Sequence, residues 1–292
     1  MNAAHRASMT VYLGTSAFAV AVLERLAASP HRPSLVITRP DRPKGRGQKT
    51  SPPPVAEAAR ALGIELLQPD DLHAPEVLDA IAAHTPEVLI VCAYGALVKE
   101  PLLSRYEIFN VHPSLLPRWR GAAPLERAIM AGDTETGVAI MRLTAGLDSG
   151  PVCLTQTEPV APDDDYGMLA ARLEVIGGDL LVRALTERLP FVEQTEDGLT
   201  YAEKITAADR LLDPATDAAV RERQVRALRP HIGARLALGD EFLGVWSARL
   251  AGDDADPRVV SAGLELVEVQ PPGGRRMPVA DWLRGRPNGL DG

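Results

Sequence analysis

Short apolar strands alternate with amphipathic helices along the first two thirds of the chain. Runs such as TVYLG from Thr10 and VLIVCA from Val88 are apolar throughout, which is typical of strands covered on both faces. Between such runs lie segments with helical spacing, for example FAVAVLERLAAS from Phe18 to Ser29. Strands joined through helices run parallel. The alternation therefore predicts an α/β fold with a Rossmann-like open, mostly parallel sheet, whose ligands bind beyond the carboxyl ends of the strands.

The texture of the sequence changes after this region. Residues 187–206 are polar and weakly periodic, as in a linker. After one helix at about 217–228, short apolar segments such as ARLAL and LELVEVQ follow one another closely, which predicts a small β-barrel or sandwich. A chain of 292 residues is long enough for two domains. We predict an α/β domain over residues 1–189, a linker over 190–208 and a smaller β domain over 209–292.

Charge limits the kinds of partner. The net charge of −8 argues against a protein that coats nucleic acid non-specifically. Two segments nevertheless carry a local excess: five positive charges against one negative lie between Arg39 and Lys49, and five arginines face only Glu222 between Arg221 and Arg235. Such segments either bind a polyanion or form solvated surface, and charge alone favours the surface.

Cys92 and Cys153 are the only cysteines, and neither lies in a CxxC motif. The sequence therefore suggests neither a disulfide framework nor a zinc site, which fits a reducing cytoplasm. No run approaches the roughly 18 to 20 apolar residues of a membrane span. We expect a cytoplasmic monomer that uses no metal and binds no membrane.

The segment FNVHPSLLPRWRGAAP, residues 109–124, ends a predicted strand in an unusual way. Asn110 and His112 are two residues apart, so their side chains project to the same side. Pro113 and Pro117 fix φ and make SLLP a stiff turn. An amide donor and an imidazole together meet the needs of acyl transfer, which are to stabilise an oxyanion and to move a proton. An Asn–His pair at a strand end is nevertheless more often a satisfied turn.

Asp148 is the third candidate. It lies in TAGLDSGPV, a loop with Gly146 and Gly150 between two apolar segments. A carboxylate in this loop would orient His112 and keep it basic, although an Asp flanked by glycines is commonly only a turn former.

These motifs, with the strand VLIVCAYG, resemble the folate-dependent formyltransferases. The resemblance implies that Asn110, His112 and Asp148 are catalytic. It also implies a site for 10-formyltetrahydrofolate, the co-substrate. The residues that the resemblance implies for that site are Ser114, Leu115, Leu116, Pro117, Val91 and Tyr94.

Other segments point to the methionyl-tRNA branch of that superfamily. TRPDRPKGRGQKTSPPPV, from Thr38 to Val55, resembles a tRNA-binding insertion, and TYAEKIT and LVEVQPPGGRRMPVADWLRG resemble the linker and the OB-like tRNA-binding domain of that branch. The branch implies formyl transfer to the amino group of methionyl initiator tRNA, for translation initiation, with the basic loop at about 39–54. The implied tRNA contacts are Arg39, Arg42, Lys44, Arg46 and Lys49.

Two departures and three alternatives remain open. Pro113 is more typical of glycinamide ribonucleotide formyltransferases, and LVKEPLL replaces an Ile-Leu-Pro phrase. A small-molecule formyltransferase of the glycinamide ribonucleotide or amino-sugar type, or a formyl-folate hydrolase, is the nearest alternative. A catalytically silent RNA-binding module is another. A nucleotide-dependent dehydrogenase is disfavoured because no GxGxxG follows the first strand.

Overall fold

The protein is described here by a computed structural model that covers residues 8–44 and 49–291. It divides into two compact units. The first comprises the described residues up to Arg120 together with Gly137–Glu158 and Ala171–Thr200. The second comprises Gly121–Thr136, Pro159–Ala170 and the chain from Tyr201 onward. None of the helices in the described ranges combines the length and apolar character that a membrane crossing needs.

Strands and helices follow the order expected from the apolar pattern. In chain order, the strands are β1 (Thr10–Gly14), β2 (Pro33–Ile37), β3 (Arg42–Lys44), β4 (Lys49–Ser51), β5 (Glu65–Leu67), β6 (Val88–Cys92), β7 (Glu107–His112), β8 (Arg120–Gly121), β9 (Glu135–Arg142), β10 (Val152–Pro159), β11 (Tyr201–Ala202), β12 (Ala234–Leu238), β13 (Glu241–Leu250), β14 (Val260–Ser261), β15 (Leu264–Gln270) and β16 (Met277–Pro278). The helices are α1 (Ala17–Ala27), α2 (Pro54–Ala61), α3 (Pro75–Ala83), α4 (Leu102–Arg105), α5 (Pro124–Ala131), α6 (Tyr166–Glu187), α7 (Ala218–Leu228) and α8 (Val279–Gly285).

A seven-stranded sheet in the order β10-β9-β7-β6-β1-β2-β5 forms the middle of the first unit. Strands β7, β6, β1, β2 and β5 pair in parallel, whereas β9 runs antiparallel to β7. The carboxyl ends of the parallel strands consequently lie along one edge, as predicted.

Both faces of this sheet are covered. Val11 and Leu13 of β1 pack in a buried cluster with Val77 and Ile81 of α3. Tyr12 points to the opposite face and is also fully buried. Burial on both faces explains why these strands are apolar throughout rather than alternating.

The second unit contains an antiparallel sheet in the order β12-β13-β15-β14, with β16 paired to β15. Its core joins Val225 and Leu228 of α7 to strand residues such as Val245 and Leu264. The predicted fold class is thus confirmed: a mostly parallel open sheet, followed by a smaller antiparallel β structure. In the basic loop, β3 and β4 pair as an antiparallel hairpin, which the sequence did not predict.

Candidate active site

Strand β7 carries two polar side chains to the carboxyl edge of the sheet. Asn110 lies opposite Val91 of β6 and Met141 of β9, so it is flanked by strands on both sides. Asn110 is 8% exposed and His112 is 4% exposed. Two buried polar side chains at a strand end require partners, because burying an unpaired polar group costs about 1–3 kcal/mol.

Asp148 lies close to both side chains. Its Oδ1 accepts a hydrogen bond from Asn110 Nδ2 at 3.4 Å, and its Oδ2 lies 3.7 Å from His112 Nδ1. In the antiparallel register of β9 with β7, Arg142 at the end of β9 lies opposite Phe109, so the loop that follows β9 begins next to Asn110 although Asp148 is 38 positions from it in the sequence. The three residues predicted to be catalytic therefore meet.

The loop that holds Asp148 is tightly constrained. Asp148 has φ +43°, in the left-handed region that Asp tolerates better than most residues. A Cβ added at Gly150 would lie 2.0 Å from the Arg142 carbonyl oxygen, so only glycine fits there. The flanking glycine is thus required by close backbone packing.

A backbone carbonyl fixes the protonation pattern of His112. Its Nε2 lies 2.9 Å from the carbonyl oxygen of Trp119. Since a carbonyl only accepts, Nε2 must carry the hydrogen and donate. The other ring nitrogen, Nδ1, faces Asp148.

The SLLP turn is held from within. The fully buried Ser114 donates its hydroxyl to the Arg118 carbonyl at 2.7 Å, and the Arg118 amide donates to Leu115. Leu115, Leu116 and Pro117 are partly exposed and present apolar surface. The structure thus gives Ser114 a role inside the turn, whereas its neighbours remain accessible.

A cavity of about 380 Å³ lies beyond the carboxyl ends of β1, β2 and β6, and residues from both the predicted folate site and the predicted tRNA site line it. Arg39, Arg42 and Tyr94 are among the lining residues. Arg39 is partly buried, whereas Arg42 is exposed at the start of the hairpin. The Tyr94 hydroxyl is buried and has no hydrogen-bond partner among the described residues. Burial raises the pKa of Tyr94, and the charge of Arg39 opposes that rise.

The remaining basic residues of the loop are described only in part. Lys44 and Lys49 are backbone partners in the β3–β4 register. Arg46 lies outside the described residues.

Most arginines of the second basic segment, Arg221 to Arg235, bind groups within the second unit. Arg221 is 1% exposed and donates to the carbonyls of Thr216, Ser261 and Ala262. Three other arginines of this segment also have partners within the unit: Arg223 with the Met130 carbonyl, Arg226 with Glu222 and the Asp164 carbonyl, and Arg229 with Asp165. Most of this block therefore serves the fold.

Neither cysteine forms a disulfide, and burial raises the pKa of Cys92 to about 12 and that of Cys153 to about 11. Over the described part of the chain, no three His, Cys, Asp or Glu side chains group as a metal site would require.

Three further residues hold the site in place, and nothing in the sequence marks them. Trp119 contributes its carbonyl to His112, and Gln194 and Thr200 come from the segment predicted to be a linker. No local pattern marks them, because their contacts depend on how distant segments pack.

Comparison with known proteins agrees with the geometry. Residues 8–185 match the family model described as Formyl transferase. The methionyl-tRNA formyltransferase of Halorhodospira halophila is 42% identical over 96% of this chain and 97% of its own length. That of Aromatoleum aromaticum is 43% identical over 94% of this chain and 93% of its own length.

A solved structure shares the fold. HypX from Aquifex aeolicus in complex with tetrahydrofolic acid superposes with a TM-score of 0.64 at 16% identity, over 94% of this chain and 47% of that protein. With relatives above 40% identity along nearly the entire length, this chain belongs to the methionyl-tRNA formyltransferase family.

Proposed function

We propose that this chain transfers the formyl group of 10-formyltetrahydrofolate to the amino group of methionyl initiator tRNA, for translation initiation. The observation that carries the proposal is the meeting of Asn110, His112 and Asp148 at the carboxyl end of β7. An amide donor, an imidazole and a carboxylate are the groups that acyl transfer to an amine requires. The names of the full-length relatives support the same reaction.

The neighbouring residues suit a folate co-substrate. Leu115, Leu116 and Pro117 offer apolar surface beside the catalytic residues, and Val91 lies directly opposite Asn110. Tyr94 adds a buried hydroxyl that has no partner among the described residues. We assign these residues and Ser114 to the folate site. Ser114 acts there by shaping the turn, since its hydroxyl is bonded to Arg118. The proposed reaction needs no metal.

In the proposed reaction the methionyl amine attacks the formyl carbon on N10 of the folate, and the formyl oxygen becomes an oxyanion. Asn110 Nδ2 and protonated His112 Nδ1 donate hydrogen bonds to that oxygen. Both atoms now contact or face Asp148, so they already point to one place. Asp148 orients His112 and receives the amine proton directly or through water. When the oxyanion collapses, the bond between the formyl carbon and N10 breaks, and N10 takes up that proton, so that tetrahydrofolate leaves and the formyl group stays on the methionyl nitrogen.

The basic hairpin is the proposed acceptor site. Arg39 and Arg42 line the cavity that also contains Tyr94, so phosphates bound there would lie beside the folate site. Lys44, Arg46 and Lys49 extend this charge along the same loop. We further propose that the region from about 209 to 292 is a tRNA-binding domain, and that the protein acts as a monomer in the cytoplasm.

The test is formyl transfer from labelled 10-formyltetrahydrofolate to aminoacylated initiator tRNA. We expect label in the tRNA-bound methionine, and at least about a hundredfold lower turnover for Asn110→Ala and His112→Ala, since losing one oxyanion donor costs about 10²–10³ in rate. Circular dichroism should show intact folding. Label released only to water would indicate a hydrolase, and near-wild-type turnover of either variant would remove that residue from the proposed mechanism.

A further inference from the structure

The segment that sequence analysis predicts as a linker lies against the catalytic residues of the first unit. We name residues 191–200 the strap. Its start is anchored independently of the site: the Phe191 ring meets Phe109 edge-on at 5.0 Å, and Val192 exchanges backbone hydrogen bonds of 2.8 and 2.9 Å with Val152. The strap is thus tied to the sheet before it reaches the catalytic loop.

Gln194 joins the strap to the Asp148 loop. Its Nε2 donates to the carbonyl oxygens of Asp148 at 2.8 Å and of Gly150 at 2.7 Å. Its Oε1 accepts from Arg120 Nε at 3.0 Å and Nη2 at 2.8 Å. Arg120 is 5% exposed, so both ends of the carboxamide are held in a buried network. A carboxamide offers donors on one side and an acceptor on the other, whereas a carboxylate offers acceptors only.

Asp148 needs such support because of its backbone conformation. Asp tolerates φ +43° better than most residues, but the conformation is still strained, and contacts from the surroundings stabilise it. Gln194 binds the carbonyls on either side of Ser149 and thereby fixes the direction of the Asp148 carboxylate.

The other end of the strap reaches His112 through the backbone. The Thr200 hydroxyl accepts from the Trp119 amide at 2.9 Å, and the Thr200 carbonyl accepts from the Arg120 amide at 3.0 Å. Trp119 itself has φ +64° and presents the carbonyl that binds His112 Nε2. Thr200 therefore holds the group that sets the His112 tautomer.

We propose that the strap is a positioning element of the active site, in which Gln194 aligns Asp148 and Thr200 aligns His112. This inference rests on the proposed catalytic roles of Asp148 and His112. Neither strap residue needs to touch a substrate.

The test compares single-turnover formylation by Gln194→Ala, Gln194→Glu and Thr200→Val, with Glu193→Ala as control because Glu193 is an exposed neighbour on the strap. We expect both Gln194 variants to slow the chemical step about 10- to 100-fold, since small misalignments have effects of this size. Gln194→Glu keeps an acceptor for Arg120 but places a carboxylate against two carbonyls. Thr200→Val should slow the chemical step less than the Gln194 variants do, because the backbone carbonyl of residue 200 remains. KM for both substrates should change less than about threefold in each, and Glu193→Ala should match wild type.

A second readout separates positioning from general damage. In an Asp148→Asn background, Gln194→Ala should cause no further loss, because its effect passes through Asp148. Near-wild-type rates for the Gln194 variants, or equal losses in both backgrounds, would contradict the proposal that the strap positions the catalytic residues. If Asp148→Asn alone were fully active, the proposed role of Asp148 would fail instead. If Gln194→Ala does not fold, Thr200→Val and Gln194→Glu decide the matter by the same criteria.

Discussion

Two arginine-rich segments of similar charge are used in opposite ways. In the first unit, Arg39 and Arg42 line a cavity at the carboxyl edge of the sheet, and Arg42 is exposed. In the second unit, Arg221 is fully buried and Arg226 is bonded to Glu222 and to a backbone carbonyl. Charge density in a sequence therefore does not identify a nucleic-acid site. What separates the two segments is whether the fold itself supplies partners for the guanidinium groups.

The largest effect that tests this comparison is on stability. Arg221→Ala removes a buried donor from three carbonyls, and we expect about 3 kcal/mol lower unfolding free energy, since each unsatisfied buried acceptor costs about 1–3 kcal/mol. Urea denaturation measures it. Arg221→Lys is the matched control and should recover part of the loss, because it keeps the charge but not the fork of donors. An unchanged midpoint for Arg221→Ala would show that the buried contacts contribute little.

The next effect is on tRNA use. Arg42→Ala should lower kcat/KM for methionyl-tRNA by about tenfold, or about 1.4 kcal/mol, as expected for one lost charged contact. The melting temperature should not change, because Arg42 is exposed. The slope of log kcat/KM against log salt should also become shallower by about one. A lower melting temperature with unaltered tRNA use would reverse the assignment.

Arg127, another arginine of the second unit, is expected to make the stability depend on pH. Partial burial by itself would raise the pKa of Asp209, but hydrogen bonds from Arg127 and Thr206 outweigh it and hold the pKa at about 2. The contribution of Asp209 to stability is therefore present above about pH 4 and is lost as the pH falls towards 2. Arg127→Ala should lower stability at pH 7 by roughly 1 kcal/mol, since solvent screens this partly exposed pair. Unfolding curves of both proteins should converge near pH 2, and a constant difference would contradict the pKa assignment.

The smallest effect on tRNA use is expected for the second basic segment. Arg223 donates to the Met130 carbonyl at 3.3 Å, so Arg223→Ala should change kcat/KM for tRNA by less than about twofold. A loss as large as that of Arg42→Ala would show that the second basic segment also contacts tRNA, and it would contradict the contrast between the two segments.

Local patterns predicted much of this molecule. The strands at Thr10–Gly14 and Val88–Cys92 and the helix at Ala17–Ala27 follow from apolar spacing, because burial on a sheet or helix face is a local property of the sequence. The meeting of Asn110, His112 and Asp148 followed from resemblance, since spacing alone left a satisfied turn as the commoner interpretation.

Other features depend on distant packing and left no local trace. Gln194 sits in a polar, weakly periodic segment, and its role follows only from its contact with Arg120, 74 positions earlier. The inward orientation of Arg221 likewise depends on carbonyls 40 and 41 positions away. Contacts of this kind are invisible to periodicity.

The most direct test follows the labelled formyl group through single turnovers, with and without methionyl-tRNA. It compares wild type with His112→Ala and Arg42→Ala. We predict that His112→Ala loses both transfer to tRNA and any release of formate to water. Arg42→Ala should transfer the formyl group to tRNA about tenfold less efficiently, while the release of formate is unchanged. Equal loss of both activities in Arg42→Ala, or retained transfer in His112→Ala, would contradict the division between a catalytic strand end and a separate acceptor hairpin.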